Sequence, residues 1–202
     1  MLKELDEPGC FQATSLDVPF AFSFCARPAG VARAAFSLKQ SPCPHCGCRG
    51  TLNRHSCSLG NDPAAVTGQW LRGQRVFCSN RGQRGGCGRT FSLFLAEVLP
   101  RHTLTASWVW RWLVNLLAGL SLKAAVEKLR LPFALETVYR LRRRLRQGLD
   151  LLRTRLCREQ TPSGSAHSDP LLQTVEHLQI VFPRSACPAA DFQLYFQHPF
   201  LS

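Results

Sequence analysis

The sequence lacks two features that direct proteins into or across membranes. Its first residues, MLKELDE, contain no apolar segment of the kind found in secretory signal peptides. No window supplies the ~18 apolar residues that a membrane span requires, since the most apolar stretch, 108–122, is interrupted by Arg111 and Asn115. We therefore expect a cytoplasmic protein that has no membrane partner and whose thiols stay reduced and available to metal.

Acidic residues are also scarce. The 202-residue chain has 13 Asp and Glu against 25 Lys and Arg, which gives a formal net charge of +12. Such an excess is costly in self-repulsion unless a polyanion is the usual partner. Arginine dominates the basic residues, and its planar fork of donors matches phosphate oxygens and guanine edges. The charge therefore favours nucleic acid as the partner, with an anionic membrane surface as the alternative.

Cysteine, by contrast, is abundant, and six of the ten cysteines lie between positions 43 and 87. In the segment CPHCG at 43–47, a tight turn can present two thiolates to one ion, and the glycine permits the positive φ of that turn. A second Cys-Gly pair begins at Cys87, and strand-like alternation follows at 89–94. This layout predicts a small, metal-stabilised zinc ribbon of short β-hairpins over 41–100. We expect one structural Zn²⁺ on Cys43, Cys46, Cys78 and Cys87.

The second pair of ligands is spaced by eight residues, so the glycine-rich insert 80–86 must bulge out between them. Cys48 or Cys57, with His55 nearby, could replace one ligand, and all six cysteines could instead be buried free thiols. His45 is expected to be a spacer. The basic residues around the second turn are candidates for phosphate contacts, or else form a solvated loop: Arg81, Arg84 and Arg89.

Residues 101–160 have the apolar spacing of helices. A first helix is predicted from Thr105 to a stop at Gly119, which suits the residue that follows a helix. Ser121 is expected to cap a short second helix with two small residues, and a third helix begins near Ala134 after a turn. This order predicts an all-α helix-turn-helix, in which the last helix lies in the major groove of DNA.

The third helix has an apolar stripe that recurs every three or four residues from Val138 to Leu156. Its first half is expected to face the core, whereas its second half could pair two copies in a homodimer or pack against the first helix. Polar residues outside the stripe are the candidate DNA contacts, to base edges or to phosphates: Thr137, Arg140, Arg142, Arg143, Arg144 and Arg146.

Three segments together resemble one family. CPHCG at 43–47, CGRTFS at 87–92 and TVYR at 137–140 are similar to the N-terminal DNA-binding part of bacterial insertion-sequence transposases and their short regulatory companions. The similarity covers residues 41–146 and departs in the long second cysteine pair and in extra residues around Pro132. It implies a sequence-specific binder of double-stranded DNA, a regulator or DNA-targeting component in the bacterial cytoplasm, associated with the nucleoid.

No catalytic domain is expected. Transposition chemistry needs three carboxylates around metal ions in a fold of ~100 residues or more. After residue 160 only 42 residues remain, and we expect 161–202 to be a flexible linker and tail, within which 171–182 could form a short helix or strand. Residues 1–40 have no assignable structure. A protein-interaction adaptor and an RNA-binding ribbon protein are the alternative functions.

Overall fold

The structure, a computed structural model, describes residues 22–25, 38–61, 69–82, 85–130 and 134–201. These residues form two compact units. One consists of the described residues up to 59 together with 71–95, and the other of those in 60–70 and from 96 onward. This part of the chain holds four β-strands and five α-helices. None of the five helices is long and apolar enough to pass through a bilayer.

The strands form one small sheet with the order β1-β4-β3-β2. Their bounds are β1 (Phe22–Cys25), β2 (Leu52–Asn61), β3 (Gln69–Cys78) and β4 (Thr90–Leu95). Strands β3 and β4 are antiparallel, with Val76 opposite Phe91, whereas β1 runs parallel to β4. Alternate residues of β4 are buried, beginning with Phe91, because side chains of a strand point to opposite faces in turn. The strand expected before Cys78 and the strand expected after Cys87 are confirmed as β3 and β4, whereas β1 and β2 are strands that the sequence did not indicate.

The helices are α1 (Ala106–Leu117), α2 (Leu122–Lys128), α3 (Leu135–Glu159), α4 (Pro170–Val181) and α5 (Pro188–Phe196). Thr105 caps α1, since its side chain accepts a hydrogen bond from the Trp108 N–H, and Ser121 caps α2 in the same way. Gly119 follows α1 with a φ of 85°. The three helices expected between 101 and 160 are therefore present, with bounds close to those predicted.

The helices share one hydrophobic core. Its largest fully buried side chains include Trp112, Leu145, Leu156, Leu178 and Phe192. Helix α4 packs against α3 and α1, and α5 packs against α1. Each fully buried side chain of this size contributes roughly 1.5–3 kcal/mol to folding. The second half of the α3 stripe thus packs against α4 of the same chain. The sequence had suggested a second copy of the chain or the first helix instead.

The expectation of a flexible tail is wrong for residues 170–201, which contain α4 and α5. The short element that the sequence allowed at 171–182 is a helix, α4. Asp169 caps α4 by accepting a hydrogen bond from the Leu171 N–H, and Pro170 occupies the first turn, where its missing N–H costs nothing. Leu171, Leu178 and Phe192 are almost fully buried. These residues fold because they cover apolar surface on α1 and α3 that would otherwise face water.

The boundary between the units also differs from the expected one near residue 100, since Ala96, Val98 and Leu99 belong to the helical unit. The side chain of Gln193, which is fully buried, explains this placement. Its amide donates to the carbonyls of Ala96 and Val98, and its carbonyl accepts from the Phe200 N–H at 3.0 Å. The Gln193 side chain on α5 therefore connects this helix to Ala96 and Val98 and to Phe200 by hydrogen bonds.

A Gln193→Leu substitution tests this junction. It introduces an apolar side chain of similar size and leaves three backbone groups without partners. Each such loss costs about 1–3 kcal/mol. We expect the free energy of unfolding to fall by about 3 kcal/mol or more, as measured by urea denaturation followed by circular dichroism. Gln179→Leu, the same change at an exposed position on α4, is the control and should change stability by less than about 0.5 kcal/mol. Equal effects of the two substitutions would contradict the role given to Gln193.

Candidate metal centre

The first cysteine pair lies in a tight turn that precedes β2. The Gly47 N–H donates to the Cys43 carbonyl at 2.8 Å, and the Cys43 N–H donates to the Cys48 carbonyl at 2.9 Å. Gly47 has a φ of 72°, a conformation that costs glycine little but strains residues with a Cβ. The His45 N–H points at the Cys43 sulfur at 3.4 Å. The turn therefore directs a backbone N–H toward the Cys43 sulfur.

The second pair repeats this geometry despite its longer spacing. The Gly88 N–H donates to the Cys78 carbonyl at 3.0 Å, and the Cys78 N–H donates to the Arg89 carbonyl at 2.9 Å. Gly88 has a φ of 71°, and the Cys87 N–H points at the Cys78 sulfur at 3.4 Å. The backbone thus closes directly from Cys78 to residues 87–89. The bulge expected between them falls partly on residues 83 and 84, which lie outside the described residues.

The two turns bring four sulfur atoms together. Those of Cys43 and Cys87 are 3.8 Å apart, as are those of Cys46 and Cys78. All four lie within 4.8 Å of one another, in a group that could hold a metal ion. Cys43 and Cys78 are buried, Cys87 is half-buried and Cys46 is exposed. The convergence of these four cysteines, which the sequence predicted as ligands, is confirmed.

Thr51 links the two turns, because its hydroxyl lies 3.2 Å from the Cys78 sulfur and its carbonyl accepts from the Ser79 N–H at 2.8 Å. Thr51, Cys78 and Ser79 are all buried. The hydroxyl adds a further polar contact to a sulfur that already receives a backbone N–H. Sequence reasoning missed Thr51 and Ser79, whose only signal is their position next to a cysteine or a turn.

The environments of the first two thiols differ strongly. Burial raises the pKa of Cys43 to about 12, despite backbone hydrogen bonds that act in the opposite direction. The Cys48 backbone N–H, together with neighbouring thiols, lowers the pKa of the exposed Cys46 to about 6. Deprotonation is therefore favoured at Cys46 and opposed at Cys43, so Cys43 must lose its proton when a cation binds.

The other nearby candidates lie outside the cluster. The Cys48 thiol donates to the Gly85 carbonyl at 3.1 Å, and the Cys57 thiol donates to the Gln74 side chain at 3.6 Å. The ring of His45 packs edge-on against Phe91, with ring centres 6.4 Å apart. The alternatives that Cys48 or Cys57 replaces a ligand are therefore not supported by the geometry, and His45 belongs to the turn as expected.

The predicted DNA-contact residues fall into separate groups. Arg81 and Arg89 are exposed beside the second cysteine turn, and Arg84 lies outside the described residues. On α3, exposed side chains oppose the buried stripe at Thr137, Arg140, Arg143 and Arg144. The guanidinium of Arg144 also lies 3.4 Å from the Nε2 atom of His102.

Arg142 and Arg146 have a partner that the sequence analysis did not assign. Their guanidinium groups donate to the same carboxylate oxygen of Asp169, at 3.2 and 2.7 Å. The Asp169-Pro170 pair could have been recognised as a helix start, but its contact with α3 depends on how α4 packs. These two predicted DNA-contact residues thus form ion pairs with Asp169 within the protein.

Replacement of Cys78 by serine tests the cluster. We expect the purified chain to bind one equivalent of a thiophilic divalent metal, with Co²⁺ as an optical probe of tetrahedral thiolate coordination. Cys78→Ser should weaken metal binding by at least tenfold, because a serine hydroxyl is a poor ligand for a soft site. Cys57→Ser is the matched control and should bind as tightly as the unchanged chain. Similar losses from both substitutions would exclude this ligand set.

Gly86 offers a second test that leaves every ligand in place. A Cβ atom at this position would lie 2.0 Å from the Ser79 carbonyl oxygen and 2.9 Å from the Cys78 sulfur. Gly86→Ala must therefore displace the second turn, and we expect metal affinity to fall. At the adjacent Gly85 a Cβ would meet nothing within 4 Å, so Gly85→Ala should leave the affinity, measured by competition with a chromophoric chelator, unchanged. A Gly86→Ala protein that binds metal normally would refute the described packing of the turn.

No protein-family model, curated protein or solved structure matches this chain. The similarity of its cysteine and helix segments to insertion-sequence transposases therefore stays a prediction from the sequence. What the site can do follows from its own geometry: four converging cysteine sulfurs in one unit, and an arginine-rich exposed helix face in the other.

Proposed function

We propose that this chain is a sequence-specific DNA-binding protein of transposase-like origin, in which a zinc ribbon accompanies a helix-turn-helix. It would act as a regulator or as the DNA-targeting component of a transposition system. The observation that carries the proposal is the division of α3 into a buried apolar stripe and an exposed arginine face.

Zinc is the metal that the donor set favours. Thiolates are soft ligands, and a closed set of four cysteines is typical of structural Zn²⁺. With Zn–S bonds of 2.3 Å, the edge of a tetrahedron is about 3.8 Å, which equals the two short sulfur–sulfur distances of the cluster. The N–H groups directed at two of the sulfurs would stabilise the negative charge of a tetrathiolate site. Bound metal would add stability to a unit whose sheet is small.

The succession of α1, α2 and α3 supports the helix-turn-helix interpretation. Helix α2 has only seven residues and buries the small Ala125 and the neighbouring Val126. Arg130 follows the end of this helix with a φ of 48°, and the turn predicted around Pro132 lies outside the described residues. Helix α3 then buries Val138, Leu141 and Leu145. In this arrangement the third helix is the one whose opposite face is available to the major groove.

The charge of α3 agrees with that role. The helix carries eight arginines against three acidic residues. Arg140 and Arg144 are four residues apart, so they lie on the same exposed face, next to Thr137. Arginine can form paired hydrogen bonds with guanine in the major groove, and the remaining basic residues would supply salt-dependent affinity through phosphates.

The proposal is tested by selecting binding sites from a random duplex pool with the metal-loaded chain, followed by gel shifts with Arg140→Ala. Loss of a base contact costs about 1–3 kcal/mol, so we expect affinity for the selected site to fall roughly 10- to 100-fold while affinity for random DNA changes little. Equal weakening on every sequence would assign Arg140 to a phosphate instead.

Arg153→Ala serves as the matched control, because Arg153 is exposed on the same helix but lies more than three turns further along. Its removal should reduce affinity for the selected site no more than for random DNA. If the unchanged chain binds no duplex at moderate salt, the proposal is wrong and the adaptor alternative is favoured. Preferential competition by single-stranded RNA would favour an RNA-binding protein.

A further inference from the structure

A groove on the surface of α3 lies beside the face that carries Arg140 and Arg144. It is lined by five residues of this helix, Tyr139, Arg142, Arg143, Arg146 and Gln147. Tyr139, Arg143 and Gln147 follow one another at intervals of four and form one ridge, and Arg142 and Arg146 form the next. The groove therefore runs along the helix between two ridges.

The chemistry of the lining selects an anion with several oxygen atoms. Three guanidinium groups, a phenol and a carboxamide supply hydrogen-bond donors, and the lining contains no carboxylate. Tyr139 is 54% exposed although it is a large aromatic residue, so its hydroxyl is available to a ligand. The open volume of about 460 Å³ is in the range of sites for extended ligands, ~300–1,000 Å³, and is larger than one small anion needs.

Asp169 already occupies part of this donor set. One of its oxygens is fixed by the Leu171 N–H at 3.0 Å, and the other accepts from both Arg142 and Arg146. Burial raises the pKa of Asp169, but the hydrogen bonds and positive charges around it outweigh burial and lower the pKa overall. At neutral pH the carboxylate is therefore ionised and reduces the net charge of the groove.

We propose that this groove binds backbone phosphates of duplex DNA, and that Asp169 is the carboxylate with which those phosphates compete. This inference rests on the proposed function and adds to it a sequence-independent contact beside the base-reading face. Tyr139 and Gln147 would donate to phosphate oxygens as neutral groups, and Arg143 would supply a charge that no carboxylate in the described residues holds. Arg142 and Arg146 would be shared between phosphate and Asp169.

The test uses the full, metal-loaded chain, a short random-sequence duplex and fluorescence anisotropy at low salt. Gln147→Glu places a carboxylate of nearly the same shape in the groove at an exposed position. We expect affinity to fall about tenfold, since a like charge next to a phosphate is repelled, and the loss should shrink as salt is raised. Circular dichroism of the variant should match that of the unchanged chain.

Gln179→Glu on α4 is the matched control, because it makes the same charge change at another exposed helical position outside the groove. It should alter affinity less than twofold. If both variants weaken binding equally, net charge and not the groove is responsible, and the inference is overturned. If the unchanged chain binds no duplex at all, the proposed function itself fails, which is a different outcome.

Asp169→Asn tests the competition. Asparagine also caps helices well, so α4 should remain intact while the groove gains one unit of positive charge. We expect affinity for random duplex to rise several-fold, and the dependence of log K on log salt to become steeper by up to about one. Asp191→Asn, the same charge change on α5, should have less effect. Affinity at or below that of the unchanged chain would overturn the role of Asp169.

Inorganic phosphate provides the last arm, added to the bound complex at constant ionic strength. If the groove binds the DNA backbone, phosphate should displace the duplex no more readily than chloride does. Release at low millimolar phosphate would show a site for a free small anion and would overturn the assignment to the DNA backbone.

Discussion

The arrangement of the sheet-containing unit depends on the surroundings of Cys78. This residue ends β3, and its backbone pairs with Gly88 and Arg89 while its sulfur approaches Cys46 and the Thr51 hydroxyl. The side chain is completely buried, so its sulfur must be satisfied by these neighbours or by a cation. Because these neighbours come from two segments, 46–51 and 88–89, the surroundings of Cys78 fix both cysteine turns relative to β3.

The helical unit depends on a different constraint, the burial of one face of a 25-residue helix. Because the leucine stripe of α3 packs against α4 and the rest of the core, the arginines of this helix lie on its opposite face and at the edges of the stripe. The helix that could be read as the DNA-contacting element is thus also the longest element of the core. Packing of the buried stripe fixes the backbone that carries these arginines, and a fixed backbone lowers the entropic cost of binding a partner.

The two sets of arginines on this helix differ in their electrostatic surroundings. Arg140 and Arg143 face solvent, whereas Arg142 and Arg146 share the carboxylate of Asp169. A pair of this exposure contributes modestly to stability, but it fixes the direction of two guanidinium groups and attaches the start of α4 to α3. Asp169 therefore orients two arginines at the surface of α3 as well as capping α4.

Much of this description follows from the sequence alone. The Cys-Gly pairs at 46–47 and 87–88 predicted the two turns, because only glycine adopts a positive φ at low cost, and apolar periodicity with Thr105, Ser121 and Gly119 predicted the first three helices. These features are local. The tertiary structure decided which four of the six clustered cysteines meet, that residues 170–201 cover α1 and α3 instead of forming a tail, and that Asp169 reaches Arg142 and Arg146. Each of these depends on contacts between residues far apart in the chain, and their free energy comes from burial and hydrogen bonds that exist only once the elements have packed.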